Sequence, residues 1–161
     1  MSWRAEPGLR RPGPIVARRV FLGAAGAFAL AVRHAAATGR VSDLSAADRA
    51  AIRDVISRQM AAFQRDAAAE AFAFAAPGIR AIFGTPDAFM AMVRTGYMPV
   101  YRPRRADFED PVGRQGRIVQ PVRIVGPDGA TVLALYDMEA QPDGTWLIAG
   151  CSLVAPPGGD A

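Results

Sequence analysis

The 161-residue sequence contains no lysine, one histidine and one cysteine. Each shortage removes a class of chemistry. A single cysteine permits neither an internal disulfide nor a Cys-rich zinc site. The one histidine, His34, lies in an N-terminal segment that reads as a detachable address, so the remaining domain has no His-based dyad, no serine-protease-type triad and no basis for most transition-metal sites. No loop has EF-hand spacing, although carboxylate-held magnesium or calcium stays open, and the one glycine-rich run, "GAAGAF", falls in that same segment without the context of a phosphate loop. Neither a cofactor nor a metal is therefore expected. Long apolar runs are also missing. The longest, Val20 to Val32, would rise about 20 Å as a helix against a hydrocarbon core of about 30 Å. No stable membrane span is expected.

What is present is an ordinary globular composition, 51% apolar and 21% charged, long enough for one domain and an extension. All 19 basic residues are arginine, which together with abundant alanine reads as a coding bias rather than a choice for anion binding. The net charge of +4 is unevenly placed. Six arginines and one acid, Glu6, precede Thr38, whereas thirteen arginines and fourteen acids follow. The basicity belongs to the first segment, and a nucleic-acid partner is not expected.

That segment runs in the order of an export signal: basic, apolar, then small residues. Arg18-Arg19-Val20-Phe21-Leu22 resembles the twin-arginine motif, with Ala17 standing where a Ser or Thr is usual. Arg33 adds a positive charge near Ala35-Ala36-Ala37, whose small-x-small pattern places cleavage between Ala37 and Thr38. The resemblance implies the twin-arginine translocase and signal peptidase as partners, and a periplasmic or secreted destination. An uncleaved anchor and a first core helix are the competing readings. No cysteine lies near the cut, which excludes a lipoprotein.

The expected organisation is a signal over 1–37, a linker over 38–44, an α+β domain over 45–155 and a frayed tail over 156–161. Ser45-Ala46-Ala47-Asp48 has the spacing of a helix start. Ile52, Val55, Ile56, Met60 and Phe63 then form one apolar stripe of a helix of about 20 residues. Asp66 is expected to cap a second short helix that Pro77-Gly78 stops, and Thr85-Pro86-Asp87 to open a third. Strands are expected at Ala106–Glu109, Ile118–Val125, Thr131–Glu139 and Thr145–Val154. Pro-Asp-Gly turns at Pro127–Gly129 and Pro142–Gly144 join the last three as antiparallel neighbours. The fold class is α+β, N-terminal helices packed on a curved antiparallel sheet.

The path "IRDVISRQMAAFQRD", "GTPDAFMAMVRTGYMPVYRP", "DGTWLIAGCSL" resembles the bacterial family of domain of unknown function 4864. That resemblance implies the cone-shaped, nuclear-transport-factor-2-like (cystatin-like) superfamily, in which the sheet wraps the long helix and often encloses a pocket. It supplies no activity.

Candidate pocket residues are Tyr97, Tyr101, Gln120, Tyr136, Asp137 and Trp146. Arg94, Arg102, Arg104 and Arg105 flank Tyr97 and Tyr101, which suits an anionic or aromatic ligand, but Asp107, Glu109 and Asp110 can neutralise them. A structural crossover is the favoured reading of that stretch. Asp137 and Glu139 share a strand face, as an acid/base pair or, preferred, as a strand emerging into solvent. Gln120 on an apolar face either lines a cavity or repairs a backbone break at Pro121. Cys151 is expected to be a buried core residue. The leading functional reading is a non-enzymatic exported domain that binds a small ligand or a protein partner. A hydratase, isomerase or cyclase using Asp or Glu with Tyr, and a homodimeric structural module, are the alternatives.

Overall fold

The computed structural model describes residues 41–156. The export-signal residues Arg18, Arg19, Phe21 and Leu22, the cleavage residues Ala35, Ala37 and Thr38, and the tail from residue 157 lie outside the described residues.

A 3-10 turn, Val41–Asp43, leads into the long helix α1, Ala46–Gln64. Its start is the capping box expected from the sequence. The Asp48 amide donates to Ser45 Oγ at 3.0 Å, and the Ser45 amide donates to Asp48 Oδ2 at 3.0 Å. The buried face of α1 is Ile52, Ile56, Met60 and Phe63, joined by Gln59 and Ala62. Val55, expected on that stripe, is only half-buried and packs against the core from its margin.

The helix ends in a Schellman motif, in which the Ala67 amide reaches Ala62 O at 2.9 Å and the Asp66 amide reaches Phe63 O at 3.0 Å. The left-handed position of this motif usually takes glycine, yet Asp66 occupies it with φ of 57°. Asp66 therefore does not cap the next helix. α2, Ala68–Ala73, has Ala67 at its N-cap and no side-chain cap. Pro77 reads in the sequence as a stop, but it begins α3, Pro77–Phe83, because proline at the first turn lacks only an N–H that would be unpaired anyway. α4, Pro86–Gly96, starts as expected, with the Ala88 amide donating to Thr85 Oγ1. A one-turn helix, α5, Met98–Tyr101, leads to the sheet.

The strands are β1 (Arg105–Phe108), β2 (Val112–Arg114), β3 (Arg117–Val125), β4 (Thr131–Ala140) and β5 (Trp146–Val154). They form an open, curved, antiparallel sheet in the order β1-β3-β4-β5, with β2 lying in line with β1 along the same side of β3. Gly129 and Gly144 take φ of 86° and 83° in the two turns read from the sequence. The outer side of β5 meets the α2–α3 connection: Ile148 N donates to Phe74 O at 2.9 Å and Ala76 N donates to Ile148 O at 2.8 Å.

The described helices lie on one face of the sheet, with α1, α3 and α5 against its strands. Ile118, Val122, Ile124, Ala134, Tyr136, Met138, Ile148 and Cys151 point to that face and meet Ile52, Ile56, Phe63, Phe89 and Val93 in one core. Three tilted or edge-on ring contacts centre on Phe89, with Phe63, Phe72 and Phe83 at centroid distances of 5.4 to 6.0 Å.

Pro121 sits in the middle of β3, where an N–H is missing from the ladder. Its carbonyl accepts from Glu109 N at 3.1 Å, so the absent donor would have faced Glu109 O. The Gln120 side-chain amide takes that place, with Nε2 donating to Glu109 O at 2.6 Å and to Pro121 O at 2.9 Å. Of the two readings of Gln120, the backbone repair is the one observed. Replacing Gln120 by leucine is expected to cost toward the lower end of about 1–3 kcal/mol, because the change also removes the orphaned Gln120 Oε1. Chemical denaturation of Gln120→Leu with and without Pro121→Val checks this: the loss should shrink when the second substitution restores the backbone N–H.

Candidate functional site

Helices on one side and a sheet on the other leave an interior in which a ligand could sit. Gln59, Phe63, Val93, Tyr97, Val100, Tyr136 and Cys151 line a cavity there of about 10 Å³. Such a volume accommodates about one water molecule. Its lining is mostly aromatic and β-branched, and none of the lining side chains is charged.

Its walls nevertheless carry polar groups. Tyr136 is fully buried and its hydroxyl has no protein partner, and the same is true of Gln59 Oε1, whose Nε2 donates to Ala71 O at 3.1 Å. Burial pushes the Tyr136 phenol well above its usual range, with the Cys151 sulfur adding to the effect. The Tyr97 hydroxyl donates to Cys151 O at 3.3 Å. Burial, reinforced by the Asp137 charge, pushes the Cys151 thiol upward too, so it stays protonated and inert at neutral pH. Cys151 is the core residue expected.

The other candidate residues lie elsewhere. Gln120 repairs the β3 ladder. Trp146 starts β5, and its Nε1 donates to Asp48 Oδ1 at 3.1 Å, tying the start of α1 to the sheet. Asp48 is held below the usual carboxylate range by its bonds from Ser45 first and Trp146 second. Asp137 is 6% exposed, on the opposite face of the sheet from the cavity. It pairs with Gly150 across the strands, where a Cβ would approach Asp137 Oδ2 to 3.0 Å. A side chain at position 150 would press on that carboxylate. Next to this pair the register shifts between Asp137 and Met138, with Ala149 as the extra residue of β5. Glu139 emerges into solvent, as read from the sequence.

Tyr101 belongs to a separate polar cluster. Its hydroxyl donates to Asp66 Oδ1, Arg94 Nη2 reaches the same oxygen at 2.9 Å, and Arg102 Nη2 reaches Oδ2 at 2.9 Å. Both guanidinium groups also stack near the Tyr101 ring, at 5.7 and 4.3 Å from its centroid. Arg102 Nη1 further donates to Gln64 O at the end of α1, where a cation suits the helix dipole. Two of the four arginines considered for an anionic ligand, Arg94 and Arg102, thus already share the carboxylate of Asp66. Among the described residues, no three His, Cys, Asp or Glu side chains converge on one point.

Of the six candidates, only Tyr97 and Tyr136 meet. Gln59 joins them, and its position three residues after Ile56 in the α1 stripe was the signal for it. Asp66 could not be found that way, since its partners lie 28 to 36 residues downstream.

The fold and site define an α+β domain with helices on one face of an open sheet and a nearly filled interior. The chain belongs to the family of domain of unknown function 4864, whose profile matches residues 45–161. No curated protein and no solved structure matched the chain.

The Asp66 cluster carries a pH dependence. The Tyr101 hydroxyl first, then Arg94, lowers the Asp66 carboxyl from an ordinary value near 3.8 to about 2. A depressed carboxylate contributes stability above its unfolded value and loses that contribution as pH falls through the folded one. Thermal unfolding temperature should therefore fall between about pH 4 and pH 2. Asp66→Asn, which keeps a residue tolerant of the left-handed conformation, should flatten that part of the profile.

Proposed function

We propose that the chain is an exported, periplasmic domain that acts by binding another protein and not by turning over a small substrate. The near-filled interior supports this reading most directly, because a cavity of about 10 Å³ has no room for an organic ligand. The position of Asp137 supports it further. An acid–tyrosine mechanism would need that carboxylate beside Tyr136, and the two side chains leave opposite faces of β4. In this reading the domain is a packed version of the nuclear-transport-factor-2-like cone, with the ligand space taken up by Phe63, Val93 and Tyr97.

The sequence supports export. Arg18-Arg19 precede Val20-Phe21-Leu22, and Ala35–Ala37 precede a domain that carries one more acid than arginine. The translocase and signal peptidase are then transient partners. No described helix is long and apolar enough to cross a membrane.

Two measurements test the two halves of the proposal. Replacing Arg18 and Arg19 by lysine should abolish transport of the chain, and the exported form should begin at Thr38. Transport that survives the change through the general secretory route refutes the twin-arginine assignment. Native mass spectrometry of the exported protein should return polypeptide mass alone. A co-purifying small molecule that is lost in Tyr136→Phe would refute the protein-binding reading.

A further inference from the structure

In a folded interior nearly every buried donor and acceptor has a partner, either in the protein or in ordered water. Two atoms of residues that line the interior cavity have none in the protein, Gln59 Oε1 and the Tyr136 hydroxyl. They come from different layers, Gln59 from α1 and Tyr136 from β4, and both residues are fully enclosed, at 1% and 0% exposure. Neither is satisfied by turning a group over. Gln59 Nε2 donates to Ala71 O at 3.1 Å, and a flipped amide would set two carbonyl oxygens against each other. Gln59 Oε1 is therefore held as an acceptor. Burial keeps the Tyr136 phenol protonated, so it remains a donor. The third such atom, Gln120 Oε1, belongs to the β3 repair and does not line this space.

We propose that this cavity is a binding site for one water molecule, which joins Gln59 Oε1 of the long helix to the Tyr136 hydroxyl of the sheet. The inference stands apart from what the domain binds on its surface. Size sets the first limit: about 10 Å³ is close to the least that holds one water, and nothing larger fits. The hydrogen-bond inventory sets the second. A water donates two protons and accepts at its oxygen. Here it donates to Gln59 Oε1 and accepts from the Tyr136 hydroxyl. Its second proton has an acceptor in Tyr97 Oη, which belongs to the same cavity lining and gives its own proton to Cys151 O at 3.3 Å. Three partners is the usual number for a buried water.

Other occupants of that size match the lining poorly. An apolar atom would leave both polar groups unpaired in a medium where that is costly. Calcium or magnesium takes six or more oxygens, and no carboxylate lines the cavity. An anion would face the Gln59 oxygen and find no cation. The site also gives Gln59 a role. An apolar residue at that position of the α1 stripe would meet the core equally well, but it would neither hold Ala71 O nor share a water with β4. Phe63, Val93 and Val100 complete the enclosure from three helices, so the water exchanges only when part of the helical layer lifts from the sheet.

A high-resolution crystal structure of the full chain tests the proposal directly. One isolated density peak should lie roughly 2.7–3.0 Å from both Tyr136 Oη and Gln59 Oε1. In solution, water-oxygen magnetic relaxation dispersion should count one long-lived water fewer in the Gln59→Met, Tyr136→Phe double variant than in the parent. Each single substitution should lower the folding equilibrium constant, and the pair should fall short of the product of the two by about threefold or more, because both remove partners of one water. If the double variant fails to fold, the parent crystal structure and the two single variants still decide. An interior without that peak overturns the inference, as does a direct Tyr136–Gln59 hydrogen bond or an unchanged count of long-lived waters. Density too large for a water overturns it together with the protein-binding reading. Failure to find a protein partner overturns that reading alone and leaves the water site standing.

Discussion

The Asp66 carboxylate receives the Tyr101 hydroxyl and two guanidinium groups at the point where the long helix ends and the chain turns back. Four helices of 4 to 11 residues follow, each too short to persist on its own in water. They hold their places because α1 fixes one end of the arrangement and this cluster fixes the other. Arg94 comes from α4, and Tyr101 and Arg102 from the end of α5, so the end of α1 is tied through one anion to residues 28 to 36 positions downstream. Arg102 extends the same tie to the last carbonyl of α1. At the opposite end of α1, Asp48 serves its own helix cap and Trp146 of the sheet together. The long helix is thus fastened at both ends by carboxylates, and the apolar core is packed between the two fastenings.

Much of the architecture was legible because it depends on local chemistry. Ser45 with Asp48, and Thr85 with Pro86, carry their signals within four residues. The Pro-Asp-Gly turns set both hairpins of β3, β4 and β5, and the strand limits fell within one residue of those read from the alternation. The failures share a cause in distance or in ambiguity. Pro77 is compatible with a stop and with a first turn, and only the packing of Ile79 into the core selects the second. β2 has three exposed residues and no apolar pattern, so its existence depends wholly on pairing with β3. Asp66 reads locally as a cap, whereas its function comes from residues of two later helices.

The candidate site was legible as a list and not as a place. Tyr97 and Tyr136 do face each other across the interior, but Asp137 leaves from the other side of the sheet, Trp146 turns to Asp48, and Tyr101 to Asp66. Alternation put Asp137 on the face of Leu133 and Leu135, which is where it lies. What alternation could not say is that the opposite face would be almost filled. That depends on how Phe63, Val93 and Val100 pack from three separate helices, a property no single segment encodes.

Sheets with free edges are templates for uncontrolled strand addition, and this one has neither edge open along its length. On one side, β1 and β2 split the border of β3 into runs of four and three residues, broken where Pro111 and Pro121 leave no donors to continue a ladder. On the other, the Phe74–Ala76 backbone occupies Ile148 near the start of β5. A strand from a neighbouring chain therefore meets no described edge that is uninterrupted along its whole length, which hinders growth by strand addition.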